Sequence, residues 1–341
     1  MGNTTMTAGE IPTTPLAESV TVIHRDSGTT HAWAKHSVWY HATPSETSSS
    51  DAVRDLISYV SRLGVNVLTL PAHITPYPIS DSIHRAQKRG LRILPNIADS
   101  HVAPEVIDQW LAEGAWGIEL GLHHLKEHIT TVNDLTLGQI QAKVSLAHPD
   151  SVLSLGLWDD DAEKFDELSN QVHDAYVHIV RSRPLALPLT IDNIAPQLVD
   201  LYRLFESTGT LPAWDLSAPA IHTASSYLSP AGIVLLTLAL PGLIHIDQQS
   251  ITIPPAPRHI LRLRNAYYLA NSSLAIDRRQ LQNGILRMFV DTIEVRMNFG
   301  SHNEPLPTDG SVLAMSHQKP SQSPNDDLYL PSGEVAWIKL R

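Results

Sequence analysis

Short apolar runs recur along most of the chain, and they alternate with amphipathic stretches of helical period. From Ser37 onward eight such runs can be counted, each near-continuous in apolar and β-branched residues. Strands buried on both faces have this composition, and regular alternation with helices is typical of a parallel sheet. The predicted strands are Ser37–His41, Asn66–Leu70, Leu91–Asn96, Ala115–Leu120, Val152–Leu157, Leu185–Thr190, Leu211–Leu216 and Leu243–Ile246. Eight βα units predict an α/β chain folded as a (β/α)₈ TIM barrel.

The pattern changes after about Ala270, where alternating apolar and polar residues replace the helical periods. Asn283-Gly284 and Asp309-Gly310 supply turn signals between these segments. Alternation of this kind predicts half-buried antiparallel strands. We therefore expect an N-terminal tail over residues 1–30, a barrel over 31–271 and a small C-terminal antiparallel β domain, sandwich-like, over 272–341. Within the barrel, the helical pattern Asp51–Leu63 has Ser50 available as its N-cap and Gly64 as its end signal.

Composition narrows the classes of partner and compartment. The 341 residues carry a formal net charge of −11, which argues against a nucleic-acid partner. The chain has no cysteine, which excludes disulfides and thiolate chemistry and fits a cytoplasmic protein. The longest apolar run, Ile233–Leu240, is far shorter than the roughly 20 residues that cross a bilayer. A soluble protein without a membrane partner is expected.

Three segments carry a resemblance to a known family. They are Leu63–Leu70 (LGVNVLTL), Lys88–Leu94 (KRGLRIL) and Thr237–Gly242 (TLALPG). These resemble the entries to strands two, three and eight of glycoside hydrolase family 13, the α-amylase family, and in particular bacterial α-glucosidases. The resemblance spans about Trp33 to Arg341. It implies a barrel followed by a β domain, and action on α-glucosidic bonds in carbohydrate metabolism.

The positions at which this family carries its catalytic acids hold other residues here. At strand four, Glu119 and Gly121 stand where the family has an Arg and its Asp nucleophile. Gly156 stands at the general-acid position of strand five, and the best alignment of strand seven puts Ala220 at the third acid. Glycoside cleavage by this mechanism needs two carboxylates. The resemblance with these losses predicts a non-catalytic pseudoenzyme with an interaction, regulatory or carbohydrate-binding role.

The loops that enclose substrate in the family are short in this chain. The family's strand-three motif is matched by Asn96, Ser100 and His101, of which only the histidine agrees. Residues 71–80 follow strand two and residues 100–104 follow strand three, so the family's long loop and its inserted domain are missing. A shallow or open cleft is therefore expected.

Polar and aromatic residues at the predicted strand ends are the candidates for ligand binding. Aromatic faces can stack on a sugar, and histidines clustered at the top of a barrel can hold an anion or metal, although both residue types also serve in packing. The candidates are Tyr40, His73, Asn96, His101, Glu119, Trp158 and His222. A protein partner or a weak carbohydrate ligand is expected. No cofactor is expected, and the oligomeric state is left open.

The sequence leaves two enzymatic alternatives open. In the first, Glu119 pairs with Asp159, or with either of the two aspartates after it, to replace the family's acids; the same aspartates could instead cap the following helix. Glu119 is the stronger of these candidates, because an acid inside a barrel needs a partner. In the second, the H-x-x-E-H string from His124 to His128 binds zinc. It lies in a loop after strand four, where a solvated His-rich loop is the favoured interpretation, so no metal is predicted.

Overall fold

The structure is a computed structural model that describes residues 20–24, 32–72, 79–97, 103–124, 131–132, 135–158, 172–173, 177–182, 189–216, 227–252, 257–317, 321–322 and 328–340. The strands are β1 (Val20–His24), β2 (Val38–His41), β3 (Val67–Pro71), β4 (Arg92–Asn96), β5 (Gly117–His124), β6 (Thr131–Val132), β7 (Leu135–Thr136), β8 (Val152–Trp158), β9 (Ile179–Ser182), β10 (Leu211–Asp215), β11 (Leu243–Ile246), β12 (Leu274–Asp277), β13 (Ile285–Val290), β14 (Ile293–Asn298), β15 (Glu304–Pro305), β16 (Ser311–Met315), β17 (Ser321–Gln322), β18 (Leu328–Leu330) and β19 (Val335–Lys339). The helices are α1 (Ala32–Lys35), α2 (Ser50–Leu63), α3 (Ile79–Gln87), α4 (Pro104–Ala112), α5 (Leu137–Ala147), α6 (Ile194–Thr208), α7 (Pro230–Ala239) and α8 (Pro257–Ala266).

Eight parallel strands close into a barrel. Around the barrel they follow the order β2-β3-β4-β5-β8-β9-β10-β11, and β11 pairs with β2 to complete the ring. The predicted (β/α)₈ barrel is therefore confirmed. Seven of the eight predicted strands overlap an observed barrel strand, with ends that differ by a few residues.

The prediction for the sixth strand was wrong. The strand at this place is β9, Ile179–Ser182, which pairs with β8 on one side and β10 on the other. Of the predicted segment Leu185–Thr190, residues 189–190 are described, and they are not in a strand. β9 is short and contains Arg181, so it lacks the continuous apolar pattern of a buried strand.

The helices follow the rules of capping and amphipathicity. In α2, Val53, Leu56, Ile57 and Val60 form the buried face. Ser49, rather than the predicted Ser50, is the N-cap, and its side chain accepts a hydrogen bond from the backbone N–H of Ala52. Gly64 ends the helix with φ 88°, a left-handed conformation that favours glycine.

Helix α7 is buried on all sides because it lies between the barrel and the C-terminal sheet. Every residue from Gly232 to Ala239 is buried. Trp337 of β19 reaches it from the sheet, and its indole N–H donates to the Leu235 carbonyl oxygen at 3.1 Å. This position explains the longest apolar run in the sequence. Within the described residues, no helix has the length and apolarity to span a membrane.

The C-terminal residues form the predicted antiparallel sheet. Its strand order is β1-β12-β13-β14-β19-β16. The edge strand β1 comes from the segment predicted to be a tail, and Val20 pairs with Asp277 of β12. The N-terminal segment thus contributes a strand to the C-terminal sheet. The predicted domain boundaries stay a prediction.

The lower half of the barrel interior is apolar. One layer consists of Trp39, Val67, Leu94, Val152, Ile179, Ala213 and Leu243. Below it, the Arg92 guanidinium lies 4.4 Å from the ring centroids of both Trp33 and Trp116. Burial lowers the pKa of Arg92, and Asp150 opposes that shift. This stack fills the amino end of the barrel, so polar chemistry must be sought toward the carboxyl end.

Candidate functional site

A layer of polar residues lies directly above the apolar layer. Each of the eight barrel strands contributes one residue. On seven strands it lies two positions beyond the strand's residue in the layer below, and on β5 it is Glu119, two positions beyond Gly117. Since side chains two positions apart point to the same face of a strand, these residues share the barrel interior. They are His41, Thr69, Asn96, Glu119, Ser154, Arg181, Asp215 and His245. We call this set the polar layer.

Arg181 connects two acidic side chains of the polar layer. Its Nη2 donates to Glu119 Oε1 at 3.0 Å, and its Nη1 lies 3.6 Å from Asp215 Oδ2. The three residues come from β9, β5 and β10. Their side chains are 5%, 0% and 1% exposed, so little water screens these charges. One guanidinium thus faces two buried carboxylates.

Glu119 has a second donor on its own strand. The backbone N–H of Gly121 donates to Glu119 Oε1 at 3.2 Å. Gly121 has φ 74°, and the pairing of β5 with β8 shifts register between Glu119 and Leu122. A left-handed glycine at a bulge turns this N–H back toward the carboxylate. Among the described residues, the other oxygen, Glu119 Oε2, has no hydrogen-bond partner.

Two histidines of the polar layer, His41 and His245, lie beside Arg181. His41 Nε2 lies 2.6 Å from His245 Nδ1, and His41 Nδ1 lies 2.9 Å from Thr69 Oγ1. Arg181 Nη1 lies 3.4 Å from His41 Nε2. Because the guanidinium can only donate, His41 Nε2 is the acceptor, and the proton of the short contact between the histidines is on His245 Nδ1.

Both histidines are held in the neutral form. Burial lowers the pKa of His41 well below its usual value, and the positive charge of Arg181 adds to that effect. Burial also lowers the pKa of His245, with further contributions from His41 and Arg181. The His245 ring stacks between Trp39 and His41, each with its centroid 4.9 Å away. The pair therefore supplies neutral hydrogen-bonding groups beside the guanidinium.

The structure brings two of the predicted ligand residues together. Asn96 and Glu119 are register partners across β4 and β5, and both belong to the polar layer. Tyr40 does not join them, because it precedes His41 on β2 and therefore points to the opposite face of the strand. Its hydroxyl donates to Glu46 Oε1 at 2.5 Å. Burial raises the pKa of Tyr40, and the hydrogen bond with Glu46 raises it further.

The remaining predicted positions divide into two groups. Gly121 and Gly156 are buried strand residues, and Gly156 is the register partner of Arg181. The backbone of Trp158 ends β8, and its side chain lies outside the described part. Also outside the described residues are His73, His101, Asp159, Ala220, His222 and residues 125–128 of the H-x-x-E-H string. In the part of the chain that the structure describes, no group of three His, Asp or Glu side chains could hold a metal ion.

Sequence reasoning missed His41, Arg181, Asp215 and His245. Arg181 was missed because the sixth strand was placed too late in the chain. Asp215 ends β10, whereas the alignment of strand seven ran past it to Ala220. A polar residue at the end of an apolar strand segment predicts a side chain at the carboxyl end of the barrel. This pattern was applied to Asn96 and Glu119 but not to these four residues.

Neither a protein-family model nor a curated protein matches this sequence. Solved structures do match, and the neighbours are enzymes of the α-amylase family, GH13. A GH13_31 enzyme has a TM-score of 0.61 at 11% identity, covering 91% of this chain and 100% of its own. The α-amylase from Geobacillus thermoleovorans, complexed with acarbose, has a TM-score of 0.55 at 12% identity, with 90% and 99% covered. The cyclic α-maltosyl-(1→6)-maltose hydrolase from Arthrobacter globiformis has a TM-score of 0.57 at 10% identity, with 91% and 100% covered.

The chain has the fold of these α-amylase-type enzymes. The match includes the barrel together with the sheet that follows it, since it covers about nine-tenths of this chain. The expected resemblance in architecture is confirmed.

The prediction that this protein is not an enzyme was wrong. The neighbours that share the α-amylase-type fold over almost their whole length are enzymes. The described barrel also keeps two buried carboxylates, Glu119 and Asp215, on a shared guanidinium. The prediction failed because it judged the acids one aligned position at a time, and it passed over an acid at the end of β10.

Proposed function

We propose that this chain is a glycoside hydrolase or transglycosylase that acts on α-glucosidic bonds with relocated acids. The observation that carries the proposal is the cluster of Glu119, Arg181 and Asp215 inside the carboxyl half of the barrel. Enzymes of this fold carry their chemistry at that end. Glycoside cleavage needs two carboxyl groups flanking the bond, and the cluster contains two.

Glu119 is the group proposed to act on the sugar carbon, directly or through water. Its Oε1 accepts hydrogen bonds from Arg181 and from the Gly121 backbone, which fix the orientation of the carboxylate. Its Oε2 is the oxygen without a partner among the described residues. A carboxylate held through one oxygen presents the other for reaction.

Asp215 is the group proposed to protonate the leaving oxygen. It lies on the opposite side of the guanidinium, 3.6 Å from Nη1 and beyond hydrogen-bond distance, whereas Glu119 is at 3.0 Å from Nη2. Because Glu119 is the acid that accepts the hydrogen bond from the guanidinium, the proposal assigns proton donation to Asp215. In this scheme Arg181 orients both acids without touching the substrate.

We also propose that the ligand is a carbohydrate and that the protein works in the cytoplasm. The lack of cysteine fits a reducing compartment of this kind. A protein partner stays a prediction.

The test is an assay of the purified protein on maltose, trehalose and nitrophenyl α-glucoside. We expect turnover of at least one substrate, and a loss of at least about a thousandfold in Glu119→Gln. Asp215→Asn should lose activity on maltose but much less on nitrophenyl α-glucoside, because nitrophenolate leaves without a proton.

Asp200→Asn is the matched control. Asp200 lies on α6, and its side chain is 72% exposed, so its activity should equal that of the wild type. Absence of turnover on all three substrates would contradict the proposal. Equal activity in Glu119→Gln and the wild type would contradict the role given to Glu119.

A further inference from the structure

The amino end of the barrel holds an arginine in a corner between two indole rings. Arg92 begins β4, Trp116 precedes β5, and Trp33 comes from α1, ahead of the barrel strands. The Arg92 Cζ lies 4.4 Å from each ring centroid, and the two centroids are 5.9 Å apart with their planes at 73°. At these distances the rings lie on adjacent sides of the guanidinium, so they do not enclose it. We call these three residues the indole corner.

Neighbouring residues hold the indole corner in place at the surface. The Trp33 indole N–H donates to the carbonyl oxygen of Asp150 at 3.0 Å, and the His148 ring centroid lies 5.0 Å from that of Trp116. Asp150 and His148 are exposed, and the three residues of the corner are half-buried. The corner is therefore fixed before any ligand arrives, and a ligand can reach it from the solvent.

The charge of Arg92 has no counter-ion in the described part of the chain. Its Nε is buried without a hydrogen-bond partner there. Asp150 acts on the pKa of Arg92, but among the described residues no ion pair joins the two. A guanidinium has five N–H donors, and the indole faces attract its charge without accepting hydrogen bonds in the ordinary geometry. Such a group indicates an anion from outside the chain.

The surroundings of Arg92 restrict the class of this anion. The planar fork of a guanidinium matches the two oxygens of a carboxylate. A doubly charged phosphate is less suitable, because Asp150 is nearby and the chain carries a net charge of −11. The partly exposed rings of Trp33 and Trp116 offer apolar contact beside the fork. A carboxylate attached to an apolar body meets all three conditions.

We propose that the indole corner is a binding site for a small organic carboxylate. Arg92 donates to both carboxylate oxygens, and the indole rings pack against the apolar body. Arg92 precedes Asn96 of the polar layer by four positions on β4, which is roughly 13 Å along a strand. Barrel enzymes carry their chemistry at the opposite end. The site is thus separate from the candidate active site, and it does not rest on the proposed function.

The test is a titration of the purified protein with benzoate at constant ionic strength, followed by NMR of the tryptophan indole N–H signals. The chain has seven tryptophans, and the signals of Trp33 and Trp116 can be assigned with tryptophan-to-phenylalanine variants. We expect these two signals to shift until the site is saturated, and the others to move little. Benzamide has the same shape without the charge and should cause no shift. Inorganic phosphate should bind more weakly than benzoate.

Variants of two neighbouring charges make the test specific. Arg92→Met should weaken benzoate binding at least about tenfold, because it removes two charge-assisted hydrogen bonds, and Arg92→Lys should weaken it less. Asp150→Asn should strengthen binding by up to about fivefold, because it removes a nearby negative charge and keeps the backbone carbonyl that Trp33 uses. Arg89→Met is the matched control. Arg89 is exposed three positions before Arg92, and its loss should leave the affinity unchanged.

Saturable shifts that Arg92→Met weakens and Arg89→Met does not would support the site, whether or not the protein hydrolyses a glycoside. The site would be overturned by the absence of a shift, by equal binding of benzamide, or by tighter binding of phosphate. Wild-type affinity in Arg92→Met would overturn it as well. If circular dichroism shows that Arg92→Met does not fold, Asp150→Asn decides, and weaker binding in that variant contradicts the site.

Discussion

Arg181 Nη2 donates to Glu119 Oε1 at 3.0 Å in the interior of the barrel, between strands that are not neighbours. The same guanidinium faces Asp215 at 3.6 Å. Breaking a buried ion pair from one side leaves an uncompensated charge, and here removal of Arg181 would leave two.

We therefore expect Arg181→Met to lower the free energy of unfolding by about 3–5 kcal/mol at neutral pH, measured by urea denaturation. Arg181→Lys should lower the free energy of unfolding by less, because it keeps the positive charge. Some loss should remain, because lysine cannot donate to both carboxylates with the fork of a guanidinium. Arg203→Met is the control, since Arg203 pairs with Asp200 on an exposed surface and should change stability by less than about 1 kcal/mol. A loss in Arg181→Met no larger than the control's would refute a buried pair.

The histidine pair predicts a loss of stability in acid. His41 and His245 have pKa values lowered by burial, so below the ordinary value of 6.5 the unfolded chain binds protons that the folded chain does not. Their contribution is present above about pH 6.5, and it falls as the pH drops below that value. With two such histidines, the free energy of unfolding should fall by about 2.7 kcal/mol for each pH unit below their ordinary pKa.

Urea denaturation between pH 7.5 and pH 5 measures this slope. The variant His245→Gln should remove about half of it, and His84→Gln, at an exposed position of α3, should leave it unchanged. A wild-type slope identical to that of His245→Gln would show that this histidine is not held neutral.

Arg264 is expected to stabilise the connection between α7 and β11. Its Nη1 donates to the carbonyl oxygens of Leu238 and Leu240 at 2.6 and 2.7 Å, and its Nη2 donates to that of Gly242. These carbonyls lie at and beyond the end of α7, where backbone acceptors need partners. Burial lowers the pKa of Arg264 to about 10, which leaves it charged at neutral pH.

Arg264→Met should therefore cost about 2–4 kcal/mol of unfolding free energy, because three buried carbonyls lose their donor. Arg262→Met, on the exposed face of the same helix α8, should cost less than about 0.5 kcal/mol. Thermal or urea denaturation compares the two. Equal stability of the two variants would mean that Arg264 does not hold this connection.

Gly121 should be intolerant of a side chain. Its φ of 74° is unfavourable for other residues, so Gly121→Ala should destabilise the fold by about 1–2 kcal/mol. It should also reduce any activity, because the Gly121 N–H orients Glu119. Gly138→Ala, within α5, should instead be neutral or slightly stabilising. A stabilised Gly121→Ala would contradict the bulge.

Much of the fold could be predicted from the sequence, because strands buried on both faces carry a continuous apolar pattern. Leu243–Ile246 has the predicted bounds, and six other strands overlap their predictions. The sixth could not be found in this way. Arg181 interrupts the apolar run of β9, and its presence makes sense only once Glu119 and Asp215 are placed beside it.

The candidate site was only partly predictable for the same reason. Glu119 was recognised as an acid that needs a partner, but the partner lies 62 positions further along the chain. Likewise, His41 and His245 are separated by 204 positions and meet only when the barrel closes between β2 and β11. Pairing of β1 with β12 depends equally on contacts between distant segments.

The most direct test of the central claim is the rate of maltose hydrolysis by the wild type and by Glu119→Gln, with both proteins shown to be folded by circular dichroism. We predict measurable hydrolysis by the wild type and a loss of at least about a thousandfold in kcat/KM for the variant. A wild type that releases no glucose, or a variant that releases it at the wild-type rate, would contradict the claim that Glu119 carries the chemistry of this barrel.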